Sequence, residues 1–229
     1  MRKYDTVLLD ADMTLLDFER SEREALSRVL ARAGVEPTAQ VCADYSRIND
    51  ALWQAFARGE VDQDYLVVER FAALLRLYGT GQDPARLSRA YELALGEEAH
   101  LLPGAMDCCL ALKQRGYALA IATNGLPMAQ RGRWKRTGLD KVIPDLFISM
   151  ELGVQKPMPA FFDRVCAALH ISDRSRVLMV GDSLTSDIRG GCDAGLDTVW
   201  FNLKGLPLTG PVVPTYTVGS YAQLLDLLP

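Results

Sequence analysis

Two carboxylates, Asp10 and Asp12, interrupt the run VLLDADMTLL at positions 7–16, and the apolar residues then resume. A charge inside a strand bound for the core is costly unless something pairs with it. Polar residues follow apolar runs at three further places: Thr123 and Asn124 after YALAIA, Lys156 in VQKP, and Asp182, Ser183 and Asp187 after VLMVG. Any one Asp or Thr at a strand end could simply cap the next helix. Four strand ends meeting at one sheet edge describe a site instead.

Asp10, Asp12, Asp182 and Asp187 bring up to four negative charges toward one point. At an effective dielectric of about 20, like charges ~4 Å apart repel by roughly 4 kcal/mol per pair. Lys156 alone cannot neutralise them, so the cluster requires a cation or protonation. Oxygen ligands without His or Cys suit a hard divalent ion, and Mg²⁺ is the usual one where phosphate is the substrate. At an ordinary carboxylate pKa of about 3.9, Asp10 is ionised and able to attack phosphorus. Asp12 reaches the leaving group if the chain turns sharply after Asp10. Neighbouring carboxylates should raise its pKa, which suits an acid that later activates water. Thr123, Asn124 and backbone N–H groups are placed to hold phosphoryl oxygens, and Lys156 to offset charge.

Positioning these residues requires a parallel sheet. Strand-like runs at 5–10, 117–123, 146–150, 177–181 and 197–201 alternate, after Leu102-Pro103-Gly104, with helical stretches, one closing at Gly116 and another at Gly138. That alternation implies βαβ units. VLLD is apolar on both faces, so it joins the same sheet. Between residues 17 and 97 four helices are expected and no strand. The first carries Ser21 and Glu24 as a capping box, with Ala25, Leu26, Val29, Leu30 and Ala33 on one face. The second repeats Val41, Tyr45, Ile48, Leu52 and Ala55, and the third Tyr65, Val68, Phe71, Ala72 and Leu75. The fourth opens at Asp83-Pro84. The expected fold is α/β: a doubly wound, Rossmann-like parallel-sheet core of residues 1–16 and 98–229, with an all-helical insertion at 17–97 after the first strand.

The 229 residues carry 25 Lys and Arg against 29 Asp and Glu, a net charge of −4 that gives no reason to expect nucleic acid as a partner. No apolar run approaches the roughly 20 residues a membrane span needs, and the first residues do not form a signal peptide. Cys42, Cys108, Cys109, Cys166 and Cys192 show no zinc spacing and read as reduced thiols of a cytoplasmic protein. His100 and His170 are too few for a histidine-built metal site or a Ser-His-Asp triad. The basic run Arg131, Arg133, Lys135 and Arg136 reads as a solvated helix face. Trp53, near Asn49, offers a surface on which a base could stack, but its place beside Leu52 on the apolar stripe fits packing inside the helical block better.

DADMT, IATNG, QKP and GDSLTSD, in that order and spacing, resemble the four motifs of the haloacid dehalogenase superfamily. The resemblance implies that Asp10 is the nucleophile, Asp12 the acid and base, Thr123 the phosphate ligand and Lys156 the stabilising cation. It implies Mg²⁺ held by Asp10, the Asp12 carbonyl and Asp182, with Asp187 supporting the metal's surroundings. The helical insertion would be a cap that closes over the site and excludes water. The dehalogenases lack the second Asp of the first motif, so Asp12 argues for phosphate chemistry. DADMTLLDF, LWQAFARGEV and RSRVLMVGDSLTSDIRGG with GLDTVWFN are similar to bacterial pyrimidine-nucleotide 5′-nucleotidases. That closer likeness implies hydrolysis of UMP, dUMP, dTMP or noncanonical pyrimidine nucleotides; monomer and homodimer are both left open by the sequence. The rival readings are a phosphatase of small sugar or glycolate phosphates, a phosphomutase, a 2-haloacid dehalogenase, and a non-catalytic binding protein.

Overall fold

The computed structural model describes residues 2–78 and 81–229. Met1, where the expected core begins, and residues 79–80 inside the helical block lie outside the described residues. The chain opens with β1 (Thr6–Leu9) and then four helices, α1 (Phe18–Arg32), α2 (Ala39–Ala57), α3 (Gln63–Tyr78) and α4 (Pro84–Glu97). The alternating half follows: α5 (Ala105–Gln114), β2 (Ala118–Thr123), α6 (Pro127–Arg136), α7 (Leu139–Val142), β3 (Asp145–Ile148), α8 (Ser149–Leu152) and α9 (Pro159–Ala168). It ends with β4 (Val177–Gly181), α10 (Arg189–Asp193), β5 (Asp197–Phe201), β6 (Tyr216–Val218) and α11 (Tyr221–Leu227). The six strands form one parallel sheet in the order β3-β2-β1-β4-β5-β6.

The sheet is buried on both faces because its strands are apolar at odd and even positions alike. Val7, Leu9, Ile121, Leu178 and Val180 face a core completed by Cys108, Cys109 and Leu112 of α5 and Leu224 of α11. Leu8, Ala120, Ala122 and Met179 face the other way, onto Phe161, Phe162 and Val165 of α9. A separate apolar cluster joins α1 to α4 through Leu26, Leu30, Tyr45, Phe71 and Tyr91, and takes in Leu126 and Ala129 from the α6 segment.

Four local expectations need correction. α1 starts at Phe18 because Asp17 caps it, accepting from Arg20 N at 3.0 Å; Ser21 lies inside the first turn and its hydroxyl donates to Asp17 O. Asp17 leaves the expected capping box at Ser21 and Glu24 no terminus to serve. The buried face of α2 drifts to Asn49 and Phe56, away from Leu52 and Ala55, and Tyr65 of α3 is half exposed. The strand expected over 146–150 stops at Ile148, where its pairing with Thr123 ends, and Ser149 and Met150 turn into α8. β6 and α11 were not anticipated, since a three-residue edge strand carries too short a pattern to read. Asp83, by contrast, caps α4 as expected, accepting from Ala85 N at 2.9 Å.

α4 packs on α6 at glycine-to-glycine distance. A Cβ at Gly132 would lie 2.5 Å from the Gly96 carbonyl oxygen. Gly132→Ala should therefore lose about 1–2 kcal/mol in urea unfolding, overpacking outweighing the gain in helix propensity. Gly81→Ala, where a Cβ meets none of the described residues within 4 Å, should not. Equal effects at the two positions would refute the close contact.

Candidate active site

β1 lies between β2 and β4, where the strand order reverses and the carboxyl ends of neighbouring strands open a crevice. Asp10 follows β1 directly, its amide donating to Val180 O at 2.9 Å. Thr123 ends β2 and Asp182 follows β4. After Asp10 the chain reverses: Leu16 N donates to Ala11 O and Met13 N to Leu16 O. Met13 adopts φ 57°, a left-handed conformation that costs a side-chain-bearing residue roughly 1–2 kcal/mol. The sharp turn expected after Asp10 is this strained one.

Lys156 is the hub. Its Nζ, almost wholly buried, donates at 2.6 Å to each of Asp10 Oδ1, Asp187 Oδ1 and Ala122 O. The backbone of Lys156 is clamped by Asn124, whose Oδ1 accepts from Lys156 N at 3.0 Å while its Nδ2 donates to Lys156 O at 2.8 Å. Asn124, expected to meet substrate, thus spends its side chain holding the lysine. Asp187 folds back beneath β4, its Oδ2 accepting from Ser183 N at 3.1 Å. Only glycine is possible above it, since a Cβ at Gly181 would sit 2.2 Å from that oxygen.

One oxygen from each of Asp10, Asp182 and Asp187 falls within 4.8 Å of the others. Burial pushes the Asp10 carboxyl up to about 7; the Lys156 charge opposes the rise, and Asp187 and Asp12 add to it. The ordinary carboxylate expected at Asp10 is therefore not what this pocket alone produces. Asp182 is raised well above its usual range by burial and by the charges of Asp10 and Asp187. Lys156 is held above its ordinary value because the two carboxylates outweigh its burial. The cluster fits a hard divalent cation. Its donors are all oxygen, and Asp187 is already engaged by Lys156 and Ser183, which leaves Asp10 and Asp182 as the carboxylates to meet the ion.

Asp12 stands apart from that group. Its carboxylate is held by α6: Arg133 Nη1 donates to Oδ1 at 2.7 Å, and Gln130 Nε2 to Oδ2 at 2.8 Å. Gln130 also donates to Thr123 Oγ1 at 3.0 Å, and Gly125 N does so at 3.1 Å. With both acceptor positions filled, the Thr123 hydroxyl proton is left for an incoming acceptor. Arg133, expected on a solvated face, is only 1% exposed and corrects that reading. Arg131, Lys135 and Arg136 are on the surface as expected. Gln130 and Arg133 went unrecognised, although α6 has so few apolar residues that Ala129, Gln130 and Arg133 are the face it buries.

Above these residues lies a cavity of about 450 Å³, walled on one side by Asp10, Thr123, Lys156 and Asp182 and on the other by helical residues. Trp53 is half-buried, lines the cavity, and meets Phe56 edge-on at 5.6 Å between ring centroids. Asn49 lines it too; its Nδ2 donates to Glu22 Oε1 at 3.3 Å and its Oδ1 accepts from Arg70 Nη1 at 3.1 Å. The expected thiols are free: Cys108, Cys109 and Cys166 are buried and Cys192 is exposed. Among the described residues no helix is long and apolar enough to cross a membrane.

The chain is thus a doubly wound, Rossmann-like protein with acid and lysine side chains gathered at the switch point of its sheet. Residues 4–195 match the haloacid dehalogenase-like hydrolase family. The chain belongs to that family. It is 37% identical over 225 residues to the pyrimidine 5′-nucleotidase PynA of Streptococcus pneumoniae, covering 98% of this chain and 95% of that protein. It is 37% identical over 227 residues to the pyrimidine 5′-nucleotidase YjjG of Escherichia coli, covering 99% and 98%. The magnesium-bound structure of the HAD-hydrolase YfnB from Bacillus subtilis superposes with a TM-score of 0.94 at 37% identity, covering 99% of both chains.

Glu22, which accepts from Asn49 behind the cavity wall, supplies a pH test. Burial pushes its carboxyl from 4.5 up to about 7, against the hydrogen bond from Ser46. A raised carboxyl in the folded state favours folding while protonated. Its contribution is fully present below about pH 4.5 and is lost as pH rises through about 7, amounting to at most about 3 kcal/mol. Glu22→Gln should therefore gain in Tm relative to the parent on going from pH 5 to pH 8. A Tm difference that stays flat across that range would contradict the burial effect.

Proposed function

We propose that the chain is a Mg²⁺-dependent phosphomonoesterase that works through an aspartyl-phosphate on Asp10 and acts on pyrimidine nucleoside 5′-monophosphates. The observation that carries this is the convergence of Asp10, Asp182 and Asp187 on one point, braced by Lys156 and set beside a separately held Asp12. Phosphoryl transfer needs positioning and charge neutralisation, and these residues are arranged for both. Asp10 and Asp182, with the Asp12 carbonyl, would hold Mg²⁺ while Asp187 supports them. When bound, the ion offsets the negative charge of carboxylate and phosphate.

In this reading the Asp10 carboxylate attacks phosphorus. Thr123 donates its hydroxyl proton to a phosphoryl oxygen, and Lys156 offsets the charge that builds between nucleophile and phosphate. Asp12 protonates the departing ester oxygen. It then accepts a proton from the water that cleaves the acyl phosphate, which restores Asp10. Gln130 and Arg133 keep Asp12 on the leaving-group side and away from Lys156.

The substrate class rests on the two relatives named as pyrimidine 5′-nucleotidases and on the cavity. Its volume lies in the range of small-molecule sites, and Trp53 and Phe56 offer flat apolar surface beside the polar Asn49. Asp10→Asn should lower turnover by at least about a thousandfold, and chelation should abolish it until Mg²⁺ is restored. Across UMP, dTMP, AMP, ribose 5-phosphate and 2-phosphoglycolate, kcat/KM should be highest for the pyrimidine nucleotides, by about tenfold or more. Full activity in excess chelator would defeat the metal assignment. A sugar phosphate or glycolate phosphate outpacing UMP would defeat the nucleotidase assignment.

A further inference from the structure

Arg70 of α3 is 2% exposed, yet it lines the same cavity as Asp10 and Thr123. Its surroundings are largely aromatic. The guanidinium lies 4.8 Å from the Tyr91 ring centroid and 5.5 Å from that of Phe71. Nη1 donates to Asn49 Oδ1 and Nε to Val67 O, but the buried Nη2 has no hydrogen-bond partner among the described residues. A buried, charged donor left unmade is expensive, and such exceptions call for an explanation. Arg70 takes part in no ion pair among the described residues, and none of the catalytic steps above uses it.

The rest of the network indicates what would complete it. Asn49 Oδ1 is committed to Arg70 and its Nδ2 to Glu22, whose other oxygen accepts from Ser46 at 2.8 Å. Asn49 therefore has one further Nδ2–H, on the residue next to Arg70 in the cavity wall. Two donors side by side favour a hydrogen-bond acceptor over an amino group. Glu22 lies one hydrogen bond beyond Asn49, close enough to feel the Arg70 charge, so the acceptor on the cavity side can be a neutral oxygen. Trp53 and Phe56, on the same wall, suit the flat ring that would carry such an oxygen.

We propose that Arg70, oriented by Asn49 and Glu22, is a specificity-determining residue whose Nη2 donates to a carbonyl oxygen on the leaving group. In the nucleotidase reading, on which this inference rests, that oxygen belongs to a uracil- or thymine-type base. Arg70 acts in binding and touches none of the reacting atoms.

The test is steady-state kinetics of the Mg²⁺-loaded protein and Arg70→Met with UMP, ribose 5-phosphate, which has no base, and 2-phosphoglycolate, which has a carboxylate. The UMP to ribose 5-phosphate ratio of kcat/KM should fall roughly thirtyfold in Arg70→Met, through KM more than kcat. A ratio within about threefold of the parent overturns the proposal and makes Arg70 a packing residue. A selective loss for 2-phosphoglycolate overturns it in favour of a carboxylate partner. A second measurement leaves the protein untouched, in case Arg70→Met does not fold. Among 2-thio- and 4-thio-UMP, one analogue should lose about fivefold or more against the parent enzyme, since sulfur accepts hydrogen bonds poorly. Losses below about twofold for both would overturn the proposal. A parent enzyme that prefers ribose 5-phosphate to UMP defeats the nucleotidase reading, whereas the change in ratio on mutation judges Arg70 in either case.

Discussion

The buried ammonium of Lys156, shared by Asp10, Asp187 and the carbonyl of Ala122, is the interaction on which the rest of this structure depends. Removing one partner from a buried ion pair typically costs about 3–5 kcal/mol, because the other charge is left without compensation. The protein therefore surrounds this lysine with parts that cannot move independently. Asn124 grips its backbone from the end of β2, Gly181 leaves room for Asp187 under β4, and Trp200 Nε1 fixes the Asp182 carbonyl at 2.8 Å. Three adjacent strands thus deliver their carboxyl ends to one point, and the sheet's two apolar faces hold those ends in register.

α6 is the second organising element, and it serves both halves of the molecule. Its inner face carries Gln130 and Arg133 to Asp12, while Leu126 and Ala129 belong to the apolar cluster of the inserted helices. Gly132 lies against Gly96 of α4, and the Arg133 guanidinium sits 5.8 Å from the ring of Phe18 on α1. Asp12 is therefore positioned by a helix whose own seat is the inserted block. The proposed acid is coupled to the element that walls the cavity, and the proposed nucleophile is coupled to the sheet.

Much of the site was legible because charge is conspicuous in an apolar strand. Asp10, Asp182 and Lys156 each break or follow a hydrophobic run, and their placement at strand ends needed only the alternation of strands and helices. Arg133 was misread because the three other basic residues of its run do face solvent, and spacing alone does not say which face a polar helix buries. Arg70 and Glu22 were overlooked for a related reason. Charged residues on amphipathic helices are nearly always outside, and only the assembled cluster shows these two turned inward. Ser21 looked like a cap until Asp17 proved to occupy the position.

The sequence by itself determined the parallel sheet, the four-helix insertion, and the acids and lysine at the strand ends, since these follow from periodicity and from the cost of burying charge. Tertiary structure alone decided which carboxylates share a point and which stand apart. Asp12 is two residues from Asp10, yet a left-handed turn at Met13 and two side chains from α6 draw it away. Asp187 is 31 positions from Lys156, yet it reaches 2.6 Å. Such distances are set by how helices seat against a sheet, through contacts between residues remote in the chain, and no local pattern encodes them. The opening run VLLDADMTLL shows both sides of this division. Its apolar spacing announces a strand that ends in acid, and only the fold reveals that its two acids answer to different neighbours.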